Sequence, residues 1–204
     1  MKIYLLRNAE TELDKKDIIS GSQNSKLTKN GEEQSDQLGE YFKNKRISHI
    51  YTSTMKSSKD TAKRIMKRFT KKPKLSSIKE FNERNLGFFE GKRWEVISIF
   101  YKEYLFKDEN KILKTVLEQK NGETWLDLSN RVIPRINKIL EKDTGDIIII
   151  GHLDINRELL KYMGNMTEKE RYRVWQNNAC INLIEYENET FDVKLINYIL
   201  GFNG

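Results

Sequence analysis

The run Asp146-Ile147-Ile148-Ile149-Ile150-Gly151-His152 constrains the fold more than any other stretch of the chain. Four consecutive isoleucines are stiff at χ1, suit a pleated surface and leave no polar alternation, which predicts a strand buried on both faces. Such a strand belongs inside a parallel sheet with helices on either side. It also delivers His152 to its carboxyl end, where open α/β sheets bind their ligands. A second apolar run, Lys2-Ile3-Tyr4-Leu5-Leu6, predicts another strand and brings Arg7 and Asn8 to the equivalent position.

Helical and extended patterns alternate along the rest of the chain. Residues 27–42 form an amphipathic helix with Thr28 as a plausible N-cap and Leu38, Tyr41 and Phe42 on one side. Residues 49–53 predict a short strand, after which Ser53 or Thr54 can cap a helix over 55–69 with Ala62, Ile65 and Met66 facing inward. A helix over 123–140 would carry Pro134 with a kink. A helix over 155–163 and a shorter one over 167–175 follow. Strands over 179–186 and 191–197 come last, joined by the turn-like Glu187-Asn188-Glu189. The segment at about 92–120, with Trp94, Ile97, Phe100, Tyr104 and Leu105, predicts a helical insertion in a single domain covering 1–204. The expected fold class is α/β, a three-layer sandwich with a mainly parallel central sheet flanked by helices.

Charged residues make up 33% of the chain and apolar residues 37%, but the apolar ones fall in periodic blocks, which argues for a folded domain with a charged surface. The net charge of +7 comes mostly from scattered lysines, densest over 63–74. Without interleaved aromatics or a recognition motif it does not indicate nucleic acid, although it favours anionic ligands. No apolar run approaches the ~20 residues that span a bilayer, so no membrane partner is expected. Cys180 is the single cysteine, lies in an apolar run and reads as a small buried hydrophobe, with a catalytic thiol the minor alternative; together with the missing signal-peptide pattern it predicts a cytoplasmic location.

The segment Leu5-Leu6-Arg7-Asn8-Ala9-Glu10-Thr11 resembles the L-x-R-H-[GA]-x-T signature of the histidine phosphatase superfamily, the phosphoglycerate mutase-like proteins, with Asn8 where that family has its nucleophilic histidine. Further segments are similar to family blocks and follow in the family's order. These are Leu27-Thr28 through Gly39, Tyr51-Thr52-Ser53 with Thr61-Ala62, Glu83-Arg84-Asn85-Leu86-Gly87 through Gly91, Gly122-Glu123-Thr124, Gly151-His152 through Arg157, and Asn178 through Asn182.

The resemblance implies a phosphoglycerate mutase-like sandwich with a pocket for phosphomonoesters. It assigns Arg7 to phosphate binding, Glu83 to general acid/base work and His152 to stabilising the transferring phosphoryl group, with Arg84 a weaker candidate for holding the rest of the substrate. Arginine grips phosphate in a fork without changing charge, and imidazole is nucleophilic near neutral pH. Two positions of the phosphate pocket depart from the family, and Leu153-Asp154 after His152, where the family often has small residues, is a third departure. Asn8 has an amide nitrogen whose lone pair is delocalised and is no nucleophile. Ser57 stands where the resemblance expects a second arginine, and neighbouring Lys56 points roughly 100° away on a helix. Loss of such clamps costs on the order of 10² to 10³ in rate. The expectation is a phosphatase-derived chain that is impaired or inactive.

Three readings stay open: a phosphomonoesterase altered at residue 8 by engineering, a regulatory or partner-binding pseudophosphatase, and a slow enzyme using water activated by Glu83 or His152. The expected ligand is a small phosphorylated metabolite or inorganic phosphate. No metal and no cofactor are expected, and the chain is expected as a monomer or homodimer.

Overall fold

A computed structural model describes residues 1–95 and 121–201. The strands are β1 (Lys2–Arg7), β2 (Ile47–Ser53), β3 (Lys74–Ile78), β4 (Asp146–Gly151), β5 (Ile181–Glu187) and β6 (Thr190–Tyr198). The helices are α1 (Glu12–Lys15), α2 (Lys29–Phe42), α3 (Lys56–Met66), α4 (Trp125–Leu140), α5 (Leu153–Met163) and α6 (Glu168–Arg173), with single 3₁₀ turns at Lys79–Phe81 and Gly87–Phe89. From residue 96 onward, the insertion expected at about 92–120 lies outside the described residues.

The six strands form one sheet in the order β3-β2-β4-β1-β5-β6. The isoleucine strand β4 sits inside it, parallel to β1 on one side and β2 on the other, and β3 extends the parallel part beyond β2. Alternation along β4 divides the core into two layers. Ile147 and Ile149 pack with Ile3 and Leu5 against Leu128, Val132 and Ile136 of α4 and Ile155 and Leu159 of α5. Ile148 and Ile150 pack with Tyr4 and Leu6 against Leu38 and Phe42 of α2 and Ala62 and Ile65 of α3. Every β4 isoleucine is fully buried, each contributing roughly 1.5–3 kcal/mol of transfer free energy.

The sheet is mixed rather than mainly parallel, because β5 runs antiparallel to β1 and β6 antiparallel to β5. The cause is local. Strands β5 and β6 are joined by two residues, Asn188 and Glu189, both at positive φ (48° and 61°), and a connection that short can only make a hairpin. The edge of β1 not taken by β4 receives it.

Local signals set most helix starts. Thr28 caps α2 through Gly31 N, and Thr124 caps α4 in a reciprocal box with Asp127. Helix α3 differs from expectation: it begins at Lys56 behind Met55, which offers no side-chain cap, because the Ser53 and Thr54 hydroxyls bond His152 and Asn82 instead. Strand β3 was not expected, since its five residues lie on the sheet edge and only Ile78 is buried, which leaves no apolar alternation to read. Cys180 is fully buried, and burial pushes its thiol up to about 11, as suits a small core residue.

Candidate active site

The parallel strands bring three of the sequence's segments to one edge of the sheet. Arg7 at the end of β1 lies opposite Gly151 at the end of β4, and Thr52 of β2 lies opposite Ile150, so the next residues, Asn8, His152 and Ser53, converge at the carboxyl ends. Gly151 allows this closeness, since a Cβ there would come within 2.5 Å of Asn156 Oδ1 and 3.1 Å of Ile155 Cγ2 in the first turns of α5. His152 occupies the N-cap position of α5.

A narrow cleft of about 40 Å³ opens at this point, lined among others by Arg7, Asn8, Asp14, Ser57, Glu83 and His152. Five of the six residues singled out from the sequence therefore share one cleft, although they come from β1, α3, the 82–86 loop and the start of α5. Arg84 does not line it. Its Nε donates to Asp154 Oδ2 at 2.8 Å and its guanidinium stacks 4.2 Å from the centre of the Trp125 ring, so it supports the wall rather than the opening. Lys56 is not on the cleft either; its Nζ bonds Asp60 Oδ2 at 2.5 Å.

Asn8 and His152 hold each other. The Asn8 amide donates from Nδ2 to Ala9 O at 2.9 Å, which turns Oδ1 toward His152 Nδ1 at 3.0 Å. The imidazole therefore carries its proton on Nδ1 and accepts at Nε2 from the Ser53 hydroxyl, 2.8 Å away, which itself accepts from Met55 N. Burial, with the positive charges of Arg7 and Arg131 behind it, pushes His152 down to about 3, so the ring is neutral throughout the physiological range. Both ring nitrogens are engaged inside the protein.

Glu83 is the carboxyl of the cleft that is pushed toward neutrality. It is half-buried, and its carboxylate accepts from Arg84 N at 2.8 Å and from Asp154 N, in the first turn of α5, at 3.1 Å. Desolvation, and next the Asp154 carboxylate, push it up to about 7 despite those two donors and the Arg84 charge. Arg131 of α4 fixes the loop: it donates to the carbonyls of Glu80, Asn82 and Glu83 while pairing with Glu123 at 2.6 Å.

Arg7 donates from Nη1 to Gln176 O at 2.7 Å and from Nη2 to Asp14 Oδ1 at 2.8 Å. Sequence reasoning missed Asp14, Ser53, Gln176 and Trp125 as parts of this region. For Asp14 a signal existed, because Thr11-x-x-Asp14 directly after a strand is a capping-box pattern, and the box does form on α1. Nothing local marks Gln176, which arrives from a segment 169 residues away. Among the described residues, no three His, Cys, Asp or Glu side chains gather as a metal site, and no helix is long and apolar enough to cross a membrane.

The family model described as Histidine phosphatase superfamily (branch 1) matches residues 3–199. The 2,3-bisphosphoglycerate-dependent phosphoglycerate mutase of Thermoplasma acidophilum is 27% identical over 190 residues, which cover 92% of this chain and 88% of that protein. Among solved structures, the phosphoglycerate mutase of Bacillus anthracis superposes with a TM-score of 0.82 at 21% identity, covering 97% of this chain and 92% of its own. The phosphoserine phosphatase of Entamoeba histolytica in complex with 3-phosphoglyceric acid superposes with a TM-score of 0.81 at 19% identity, covering 98% of each chain.

Proposed function

This chain belongs to the histidine phosphatase superfamily, and on that premise we propose that its cleft binds the phosphoryl group of a small phosphomonoester while turnover through residue 8 is absent or very slow. The observation that carries the second half is the Asn8–His152 pair. At the position where the family resemblance expects a nucleophilic imidazole there is an amide, whose oxygen accepts from His152 Nδ1 and whose nitrogen has no basic lone pair to offer phosphorus. His152 cannot substitute for it as a base, since its Nε2 accepts from Ser53 and its proton affinity is depressed.

The remaining groups suit binding and proton delivery. Arg7 supplies the positive charge, Glu83 near pH 7 can hold or release a proton at a leaving oxygen, and the neutral His152 keeps Asn8 in place. Ser57, buried on α3 at the expected site of a second arginine, brings no charge. Two losses in one pocket favour a chain that regulates or sequesters over an enzyme altered at one position. A small phosphorylated metabolite is supported by the 3-phosphoglyceric acid bound to the Entamoeba relative. We place the chain in the cytoplasm as one domain over 1–204, monomeric or homodimeric.

Hydrolysis of an aryl phosphate by the chain, by Asn8→His and by Asn8→His/Ser57→Arg, followed between pH 5.5 and 7.5, tests this reading. The chain itself should match the buffer rate, and the double variant should exceed it by on the order of 10² or more. Turnover by the unaltered chain equal to that of the variants overturns the reading. Restoration by Asn8→His alone would identify an otherwise intact phosphatase.

A further inference from the structure

Arg7 is the only lysine or arginine among the described residues lining the cleft, and its charge is already matched inside the fold. Asp14 Oδ1 lies 2.8 Å from Nη2, and both side chains are about four-fifths buried, at 17% and 21% exposure. A guanidinium ordinarily grips an oxyanion with two parallel N–H groups. Here one terminal nitrogen donates to Asp14 and the other to Gln176 O, so an entering phosphoryl group meets an arginine in which each terminal nitrogen already has a partner and only the buried Nε has none.

Asp14 cannot easily turn away. Its second oxygen accepts from Thr11 N at 2.9 Å, one of the two bonds of the capping box on α1, and from Thr11 Oγ1 at 2.6 Å. A bound dianion would therefore sit beside a fixed carboxylate rather than displace it. The other charges of the cleft do not offset this. Asp154 is matched by Arg84 at 2.8 Å and Arg157 at 3.4 Å, His152 is neutral, and Glu83 adds negative charge when ionised.

We propose that Asp14 is a built-in anion competitor at Arg7, a residue that weakens phosphoryl binding and restricts the cleft to ligands able to share one arginine with a resident carboxylate. The proposal rests on the reading of the cleft as a phosphoryl site and adds to it the residue that sets affinity. Replacing Asp14 by asparagine keeps an acceptor for Thr11 while removing a full negative charge within a few ångströms of the ligand, which predicts about tenfold or greater tightening.

The test is calorimetric titration of the full chain with inorganic phosphate and with vanadate, compared with Asp14→Asn, Asp14→Ser and Arg7→Met/Asp14→Asn. Circular dichroism establishes that each variant folds, and the serine variant serves should asparagine disturb α1. We expect both Asp14 variants to bind about tenfold or more tightly than the parent, and the gain to vanish when Arg7 is also replaced. Equal or weaker binding by both Asp14 variants, with the parent still binding, overturns the competitor and leaves the phosphoryl reading standing. A gain that survives Arg7→Met also overturns it. If neither parent nor variants take up phosphate or vanadate, the phosphoryl reading fails and the competitor with it.

Discussion

Replacing Glu83 by glutamine should unmask an acid sensitivity that the native chain hides. Glu83 titrates near 7 in the fold against 4.5 when free, because burial and then the Asp154 carboxylate oppose its ionisation. A carboxyl raised in this way stabilises the fold fully below 4.5, and that contribution is lost as pH rises through 7. His152 works in the opposite direction. Its folded value near 3 lies below the free value of 6.5, so its contribution is present above 6.5 and is lost as pH falls toward 3. Between pH 8 and pH 5, linkage gives a gain of about 2–3 kcal/mol from Glu83 and a loss of about 2 kcal/mol from His152. The two nearly cancel. Glutamine does not titrate, and the causes of the His152 shift, burial with Arg7 and Arg131, do not include Glu83. The stability of the native chain minus that of Glu83→Gln should therefore rise by about 2–3 kcal/mol on going from pH 8 to pH 5. Urea denaturation at pH 8, 7, 6 and 5 reads this from the midpoints, provided the slope m stays constant, and the melting temperature of the native chain minus that of the variant should rise by about 5–10 °C. Subtracting one protein from the other removes every group they share. A difference that is constant with pH would mean that Glu83 ionises normally and is no proton donor near neutrality, and a native-minus-variant stability that falls on acidification would mean that its carboxylate is favoured by the fold.

Gly31→Ala should lower the melting temperature although Gly31 lies in α2, where alanine is ordinarily the better helix former by roughly 1 kcal/mol. A Cβ there would stand 2.1 Å from the backbone oxygen of Glu10, so the chain beside Asn8 must shift, at a cost of about 1–3 kcal/mol; an unchanged or raised melting temperature would refute this. Glu158→Gln should cost about 1–3 kcal/mol in urea, because Arg171, 1% exposed and 3.7 Å above the centre of the Trp125 ring, loses the charge that Glu158 places 2.9 Å from Nη1 and keeps only the half-exposed Glu168 at Nη2. The double replacement Glu158→Leu/Arg171→Met should recover much of that loss, which a purely steric role for the pair would not allow.

The parts legible in the sequence were those whose signal is local. The β4 isoleucines specify burial on both faces wherever the strand is placed, and Thr28 and Thr124 cap helices with donors at most three residues away. Arg7, Asn8 and His152 could be assigned to strand ends because a strand's end is visible from its own pattern. The resemblance named Glu83 and Ser57, and the fold brings both to the same cleft. Strand β3 stayed hidden because an exposed edge strand needs no apolar alternation. The mixed sheet was implicit in the Asn188-Glu189 turn, whose length allows only an antiparallel pair.

Sequence alone determined which residues could be buried, where helices start and which chemical groups the strand ends carry, because these follow from side-chain type and short-range spacing. Tertiary structure decided what those groups can do. Arg84 could be read as a ligand-binding arginine until Asp154 and Trp125 were seen to engage it. Arg7 could be read as a free phosphate clamp until Asp14 and Gln176 were found on its terminal nitrogens. His152 changes from a candidate charged group to a neutral one only when burial and its bonds to Asn8 and Ser53 are known. The reason is common to all three. Charge state and availability depend on the few ångströms around each group, and those neighbours lie up to 169 residues away in the chain.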